Sequence, residues 1–406
     1  MKEIAIIGGG AAGIFAAIHA AKNGAFVTVY DKNDRVGKKI LATGNGRCNL
    51  TNIYADIDNY FGEDKDLISE IIDQYWVPDT LEYFESIGLL YKVEDEGKVY
   101  PYSNSATSVL DVLRFQLEKL NVKIVFDFEV KEVKKTGNIF TLISYKSEKA
   151  EADKIIVTTG GKASPASGSN GSGYPILEGF GHSVTRLFPS LVQIKLKPCG
   201  LTKLNGIKID GNITAILKDG KSIKKSGEIL FTDYGISGPA AFAISRIAGE
   251  RAECRFIIDL MPEYSADDLI GILKKQRDIM RTVEELFVGI LNKRIGQVII
   301  KTVIDIKMNE DVKKLTDSDI KDIVMAVKSY EVISCGTMSW NNAQVTAGGV
   351  RLSEFDPKTL ESKFCSGVYA AGEVLDIDGD CGGFNLQWAW SSGYVAGVSA
   401  ARKGEL

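Results

Sequence analysis

Residues 2–32, KEIAIIGGGAAGIFAAIHAAKNGAFVTVYDK, read as strand, glycine turn, helix and second strand. Lys2 to Ile7 is an apolar β run ending at Gly8-Gly9-Gly10, and Gly13 completes a G-x-G-x-x-G pattern. Ala12, Ala16, Ala20 and Gly24 repeat every four residues, so the helix carries a face small enough to lie close to a sheet. Phe26 to Tyr30 forms the second strand, and Asp31 ends it. Gly8 permits the tight turn, Gly10 lets backbone approach a pyrophosphate, and Gly13 lets helix and strand pack closely. The helix N-terminus offers unpaired N–H groups and a positive dipole end to phosphates. A carboxylate at Asp31 is placed to take the hydroxyls of an adenosine ribose and to repel a 2′-phosphate. Together these features predict a dinucleotide site.

The pattern alone does not separate FAD from NAD. The following segment, DKNDRVGKKILATGNGRCNLTN, carries Gly37, Lys38 and Lys39 and then a loop rich in glycine and asparagine, Thr43-Gly44-Asn45-Gly46-Arg47-Cys48-Asn49. A simple NAD dehydrogenase would enter its next βα unit here. Such a loop suits an extended FAD, whose ribityl chain and ring travel away from the first turn.

Helices are expected over about 67–86 and 105–120, and strands over 122–128, 140–145 and 155–161. Glu129-Val130-Lys131 can meet an adenine edge, and Thr159-Gly160-Gly161 is a second close pass of backbone at the cofactor. SPASGSNGSGY (164–174) reads as a flexible surface loop or as a lid. From about Leu191 short β runs predict a small β domain, and apolar residues three and four apart from Ser265 to about Ser329 predict a helical subdomain set within it.

Near the C-terminus, DGDCGGFNLQWAWSSG (378–393) crowds glycines, an Asn, a Gln and two tryptophans into a place where tails are usually polar. Val368 to Ala371 reads as a strand and Phe384 to Arg402 as a helix opened by Gly382-Gly383, with Ala389, Gly393 and Gly397 giving it a small face for the sheet or the first helix. A helix N-terminus aimed at the N1–C2=O edge of a flavin would stabilise the charge that develops on reduction. Asp376 or Asp380 is placed to hold the ribityl chain or the water shell of the pyrophosphate. Trp388 and Trp390 are read as core residues.

Composition bounds the rest. The chain has 406 residues, 45% hydrophobic and 25% charged, with a net charge of −4, which argues against nucleic acid as the main partner. The six cysteines, Cys48, Cys199, Cys254, Cys335, Cys365 and Cys381, include no CxxC pair and no metal-type spacing, so no metal is expected. No secretory leader precedes the first strand and no apolar run reaches the roughly 18 residues of a membrane helix. A cytoplasmic protein with reduced thiols is the expectation. Only His19 and His182 are available as histidines, and both are read as structural.

TGNGRCNLTN, GEILFTDYGISGP, CGTMSWNNAQVTAGGV, TLESKF and GEVLDIDGDCGGFNLQWAWSSGYVAG resemble the YhiN/BaiN-like flavoproteins, a group that includes aminoacetone-oxidase-type FAD enzymes. The resemblance spans nearly the whole chain. It implies an α/β fold: a glutathione-reductase-type Rossmann FAD-binding domain (1–190 and 348–406) with an inserted β-barrel-like domain (191–262 and 330–347) carrying a helical subdomain (263–329). It places Gly8, Gly10, Ala12, Gly13, Asp31, Lys32, Lys39, Thr43, Gly44, Asn45, Gly46, Val130, Gly160, Gly372, Glu373, Asp380, Gly383 and Asn385 around FAD. Their neighbours Ala11, Gly37, Lys38, Ala42, Thr159, Gly161 and Leu386 are taken with them.

An FAD-dependent oxidoreductase acting on a small organic molecule is therefore expected, with NAD(P)H left open as the electron donor because only one complete G-x-G-x-x-G unit is visible. An amine oxidase that uses oxygen is an alternative. No catalytic residue is assigned. Tyr234 and Cys48 are the proton donors to inspect, each set against a plain packing role. A dithiol mechanism would need Cys48 and Cys381 to meet over the ring. A nucleic-acid-binding or regulatory role would rest on Lys293, Arg294, Lys301 and Lys307 of the helical insert. Oligomeric state is not read.

Overall fold

The computed structural model describes residues 2–251 and 253–402. The chain divides into two compact units, one formed by residues up to Phe188 together with those from Ala343 onward, the other by Pro189–Asn342. The first unit thus resumes at 343 where 348 was expected.

The heart of the first unit is a parallel sheet of five strands in the order Val368–Ala370, Lys154–Val157, Glu3–Ile7, Phe26–Tyr30, Lys123–Val125. Parallel strands covered on both faces need near-continuous apolar runs, and Ile4, Ala5, Ile6, Ile7, Ile155, Ile156 and Val157 are all buried. Strand Glu3–Ile7 lies at the middle, with Phe26–Tyr30 on one side and Lys154–Val157 on the other, so successive connections leave it in opposite directions. Such a switch point is where open α/β sheets bind ligands, beyond the carboxyl ends of the strands. A side sheet of Val130–Thr136, Ile139–Ser144 and Lys149–Ala152 extends this unit.

Two helices carry the packing that matters most here, Ala11–Lys22 after the glycine turn and Phe384–Ala401 closing the chain. A Cβ added at Gly393 would stand 2.6 Å from the Ala12 carbonyl oxygen, and one at Gly397 would stand 2.4 Å from that of Ala16. The small face of the closing helix therefore lies on the first helix, backbone against backbone. Both matched pairs rise together along the chain, so the two helices run in the same direction.

The closing helix also answers for its tryptophans and glutamine. Trp388 and Trp390 are buried, and their indole N–H groups donate to the carbonyls of Gly372 (3.1 Å) and Leu50 (2.9 Å). Gln387, fully buried, accepts from the Thr51 hydroxyl at 2.7 Å and donates to those of Thr80 and Ser391. Buried polar groups are tolerable when paired in this way.

The stretch 67–86 is two helices rather than one, Lys65–Ile72 and Val77–Ser86. Pro78 cannot sit in a helix interior, whereas the first turn accepts it, so the second helix starts just before it. Residues 164–174 fold into a short 3-10 turn, Pro165–Ser167, and the start of a helix, Gly173–Glu178.

The second unit is a closed antiparallel barrel in the order Ile194–Leu196, Gly235–Ser237, Ser222–Phe231, Lys208–Ile216, Arg255–Asp259, Tyr330–Thr337. Helix Pro239–Glu250 packs against it. Helices Ala266–Ile279, Lys293–Val303 and Asp317–Lys328 lie in sequence between the strands Arg255–Asp259 and Tyr330–Thr337, and share one apolar core with the barrel. Among the described residues no helix is long and apolar enough to cross a membrane.

Candidate functional site

The glycine turn is built as its spacing requires. Gly8 has φ +106°, and its N–H donates to the Tyr30 carbonyl at 2.8 Å. A Cβ at Gly13 would lie 1.9 Å from the Gly8 carbonyl oxygen, so no side chain fits there. Gly10 differs: a Cβ on it would meet nothing within 4 Å. Its need for glycine does not come from the protein around it. Gly10 is also the N-cap of the first helix, with no side-chain cap and no acid in the first turn, which leaves a positive end open to an anion.

At the end of the second strand, Asp31 is buried and already engaged. One carboxylate oxygen accepts from the Gly9 N–H at 2.7 Å, and the other from the backbone and side-chain nitrogens of Asn33. A carboxylate offers about four acceptor positions. Roughly one remains for a ribose hydroxyl, so Asp31 serves the shape of the glycine turn as much as a ligand. The Lys32 ammonium is buried without a hydrogen bond, its nearest acid being Glu129 at 3.8 Å. Burial lowers its pKa, opposed by Glu129 and Asp31. The Ser169 hydroxyl, also buried and unpartnered, lies 2.9 Å from where a Cβ on Gly160 would be, and Gly168 packs on the Lys32 stem. Val130 is buried at the start of the side sheet.

Lys39 and Glu373, far apart in sequence, form an ion pair of 2.6 Å, with about a quarter of each side chain exposed. The other Glu373 oxygen accepts from the Thr346 N–H at 2.9 Å, and the Thr346 hydroxyl accepts from the N–H groups of Lys162 (2.7 Å) and Ala163 (2.9 Å). A Cβ at Gly161 would collide with both Thr346 and Glu373. Tyr174 adds an unpartnered buried hydroxyl, whose pKa burial raises further, with the charges of Glu373 and Asp376 acting the same way. Gly372 has φ +78°, and a Cβ there would stand 2.8 Å from that of Ala12, which ties this strand end to the first helix.

Residues 37–49 wrap the other end. Gly44, Asn45, Gly46 and Cys48 all have positive φ, which curls the loop tightly. The Thr43 hydroxyl donates to Ile40 and the Cys48 N–H to Thr43. Ala42, Asn45 and Gly46 are exposed, while Lys38 is half-buried. Gly44 sits against Asn49, and Gly383, the N-cap of the closing helix, sits against Asn49 and Thr51. The Asn385 side chain is spent on the backbone of Gly379 and Asp380, and Asp380 is hydrogen-bonded to Asn59, so both brace the loop before the closing helix. Leu386 is partly buried in its first turn.

The shared direction of the two helices gives the site its scale. Gly393 is level with Ala12, so Phe384 lies nine residues and Ala11 one residue before that level. At about 1.5 Å per residue the two helix starts are offset by about 12 Å. The two positive helix ends thus point the same way, offset by a length that suits a pyrophosphate at one and, across a five-carbon ribityl chain, a ring edge at the other. The unpartnered atoms of Lys32, Ser169, Tyr174 and Asn49 and the open space at Gly10 all lie on residues of this region. These residues fit FAD.

Cys48, His182, Lys293 and Arg294 are accounted for without a ligand. All six cysteines are free, so Cys48 and Cys381 form no disulfide. Cys48 is fully buried, and burial pushes its thiol up to about 12, with the Thr43 hydrogen bond pulling the other way. A thiol so placed is an inert packing group. His182 stacks on Phe355 and bonds Glu354 and Ser362, and its pKa is lowered chiefly by burial. Tyr234 belongs to the turn between two barrel strands and is half-buried. The helical insert, 263–329, carries twelve basic and twelve acidic residues. Lys293 pairs with Glu284, and the Arg294 guanidinium donates to a backbone carbonyl. Asn49, Ser169, Tyr174 and Thr346 were not singled out from the sequence. Asn49 stood inside the quoted loop, yet nothing local marks it as unpaired.

Residues 2–399 match the family described as HI0933-like protein Rossmann domain. The 3-dehydro-bile acid delta(4,6)-reductase of Clostridium scindens is 39% identical, covering 99% of this chain and 100% of that protein. The ribosomal RNA dihydrouridine synthase of Haemophilus influenzae is 32% identical, covering 99% of each. The Mycobacterium smegmatis Sdh1 complex aligns with a TM-score of 0.50 at 15% identity, over 98% of this chain and 68% of that one, a likeness of fold alone.

Proposed function

This chain belongs to the HI0933-like Rossmann family and is an FAD-dependent oxidoreductase, and from that premise we propose that it reduces a carbon–carbon double bond conjugated to a carbonyl. Two relatives act on the same kind of bond, and that shared chemistry carries the proposal. A 3-dehydro bile acid with double bonds at positions 4 and 6 is a conjugated ketone. Uridine becomes dihydrouridine by saturation of a double bond conjugated to its C4 carbonyl. One reaction type covers both.

Bound in the cradle described above, FAD would supply hydride transfer at N5. The chain's part is to hold and orient. The first helix start would take the pyrophosphate, Asp31 and Lys32 the adenosine end, and Lys39 and Glu373 the stretch between. The closing helix start, at Gly383, would face the ring and favour the negative charge of reduction. We take the substrate to be a small conjugated carbonyl compound and the electron donor to be NAD(P)H. The net charge of −4 and the charge-balanced insert favour that choice over RNA. A second reading, uridine within ribosomal RNA, is supported by the names of the relatives at 32% and 31% identity.

The test is anaerobic. Flavin absorbance should bleach with NADH or NADPH and return on adding a 4-en-3-one steroid or a simple cyclic enone. Return with ribosomal RNA alone would select the second reading. Bleaching by amines and return only with oxygen would defeat both and favour an amine oxidase.

A further inference from the structure

We infer that Asn49 contacts the flavin, its amide meeting the polar pyrimidine edge beside the start of the closing helix. This rests on the FAD reading above. Asn49 is 9% exposed, and its side-chain oxygen is buried with no hydrogen-bond partner. That oxygen lies 3.0 Å from where a Cβ on Gly383 would be. Gly383 caps a helix of 18 residues that has no side-chain cap and no acid in its first turn.

The neighbours of Asn49 make the lack of a partner informative. In the run Asn49-Leu50-Thr51-Asn52, the Leu50 carbonyl accepts from Trp390, and the Thr51 hydroxyl donates to Gln387. The Asn52 amide donates to the carbonyls of Gly382 and Glu96, and its oxygen accepts from the Tyr54 N–H. The Trp390 and Gln387 bonds pin the run to the closing helix, and the Asn52 amide ties it to Gly382 just before that helix and to the turn at Glu96. Within this run only Asn49 has an unpaired buried side-chain oxygen, and at 9% exposure the residue has little access to water. Evolved cores rarely leave a buried amide unsatisfied. An amide offers a donor and an acceptor side by side. The pyrimidine edge of a flavin presents C2=O, N3–H and C4=O in alternation, which either orientation of an Asn amide can match. Added to the positive helix end, this bond would hold the reduced ring more tightly than the oxidised one.

The test uses the full chain and two variants, Asn49→Leu and Asn49→Asp. Readouts are the FAD Kd by fluorescence quenching, the two-electron midpoint potential by dye equilibration, and melting temperature with and without FAD. The Leu variant, which removes no bond within the protein, should melt without FAD at or above the wild-type temperature. Its FAD affinity should fall about tenfold, and its potential should drop by about 30 mV for each further tenfold loss of preference for the reduced form. The Asp variant should lower the potential more, because its carboxylate opposes negative charge on the ring. Wild-type Kd and potential in the Leu variant would overturn the inference, as would a lower melting temperature without FAD and an unchanged Kd, the signature of packing or of a buried water. If the Leu variant does not fold, an unchanged potential in the Asp variant overturns it equally. Wild-type protein that takes up no FAD would defeat the FAD reading itself, whereas FAD-loaded variants indistinguishable from wild type defeat this inference alone.

Discussion

Gly10→Ala separates what the protein needs from what its ligand needs. Gly10 has φ −79° and ψ −168°, a conformation that alanine adopts freely. A methyl there meets no protein atom within 4 Å. Replacing a glycine at a compatible position restricts the unfolded chain, so FAD-free protein should gain about 0.4–1 kcal/mol. The ligand should suffer. A phosphate oxygen bound to a helix N–H sits about 2.9 Å from the nitrogen. A methyl on the adjoining backbone needs about 3.5 Å to any heavy atom, which pushes the oxygen back. Losing one charge-assisted bond costs about 1.5–3 kcal/mol, or roughly 10- to 150-fold in Kd. Urea unfolding of FAD-free protein and fluorescence titration with FAD measure the two effects separately. A destabilised FAD-free variant, or one that binds FAD as tightly as wild type, would refute the placement of the pyrophosphate at this turn.

Gly397→Val should behave in the opposite way. Its Cβ would press within 2.4 Å of the Ala16 carbonyl, so FAD-free protein should lose about 1–3 kcal/mol or more in urea unfolding, and wild-type stability would contradict the backbone-to-backbone helix contact. His19 is buried, with its pKa lowered to about 3 by burial and then by Lys22. The unfolded chain takes up the proton first, so stability is intact above about pH 6.5 and falls as pH drops toward 3, by up to about 5 kcal/mol. His19→Leu should flatten that part of the pH profile, and an unchanged slope would count against it. Iodoacetamide at pH 8 should label the exposed Cys335 and spare Cys48, whose thiol is held near 12; early labelling of Cys48 would show that the loop opens.

What the sequence made legible was local. Lys2–Asp31 declares itself without distant contacts, because Gly8 takes a positive φ in the turn, Gly13 presses on the Gly8 carbonyl, and the apolar runs have the right period. The closing helix was legible for the same reason, through the spacing of Ala389, Gly393 and Gly397. Its partner and direction were not, since the fit of Gly393 onto Ala12 depends on two segments nearly four hundred residues apart. The break at Trp76 was signalled by Pro78, whose place in a first turn outweighs the apolar periodicity around it. The Lys39–Glu373 pair, the bridge through Thr346 and the vacant amide of Asn49 are long-range facts. No spacing rule reaches them. Asp31 shows a subtler limit: its residue type suits a ribose, yet most of its acceptor capacity goes to Gly9 and Asn33.

In the FAD placement proposed above, two parallel helix starts, offset by about 12 Å, grip the two ends of one cofactor. Titration of FAD-free protein with FAD and with FMN tests it most directly. FMN lacks the adenosine that Asp31, Lys32 and Ser169 would hold. One FAD per chain, with FMN bound at least a hundredfold more weakly, is the predicted result; equal affinity for the two, or no uptake of either, would contradict it.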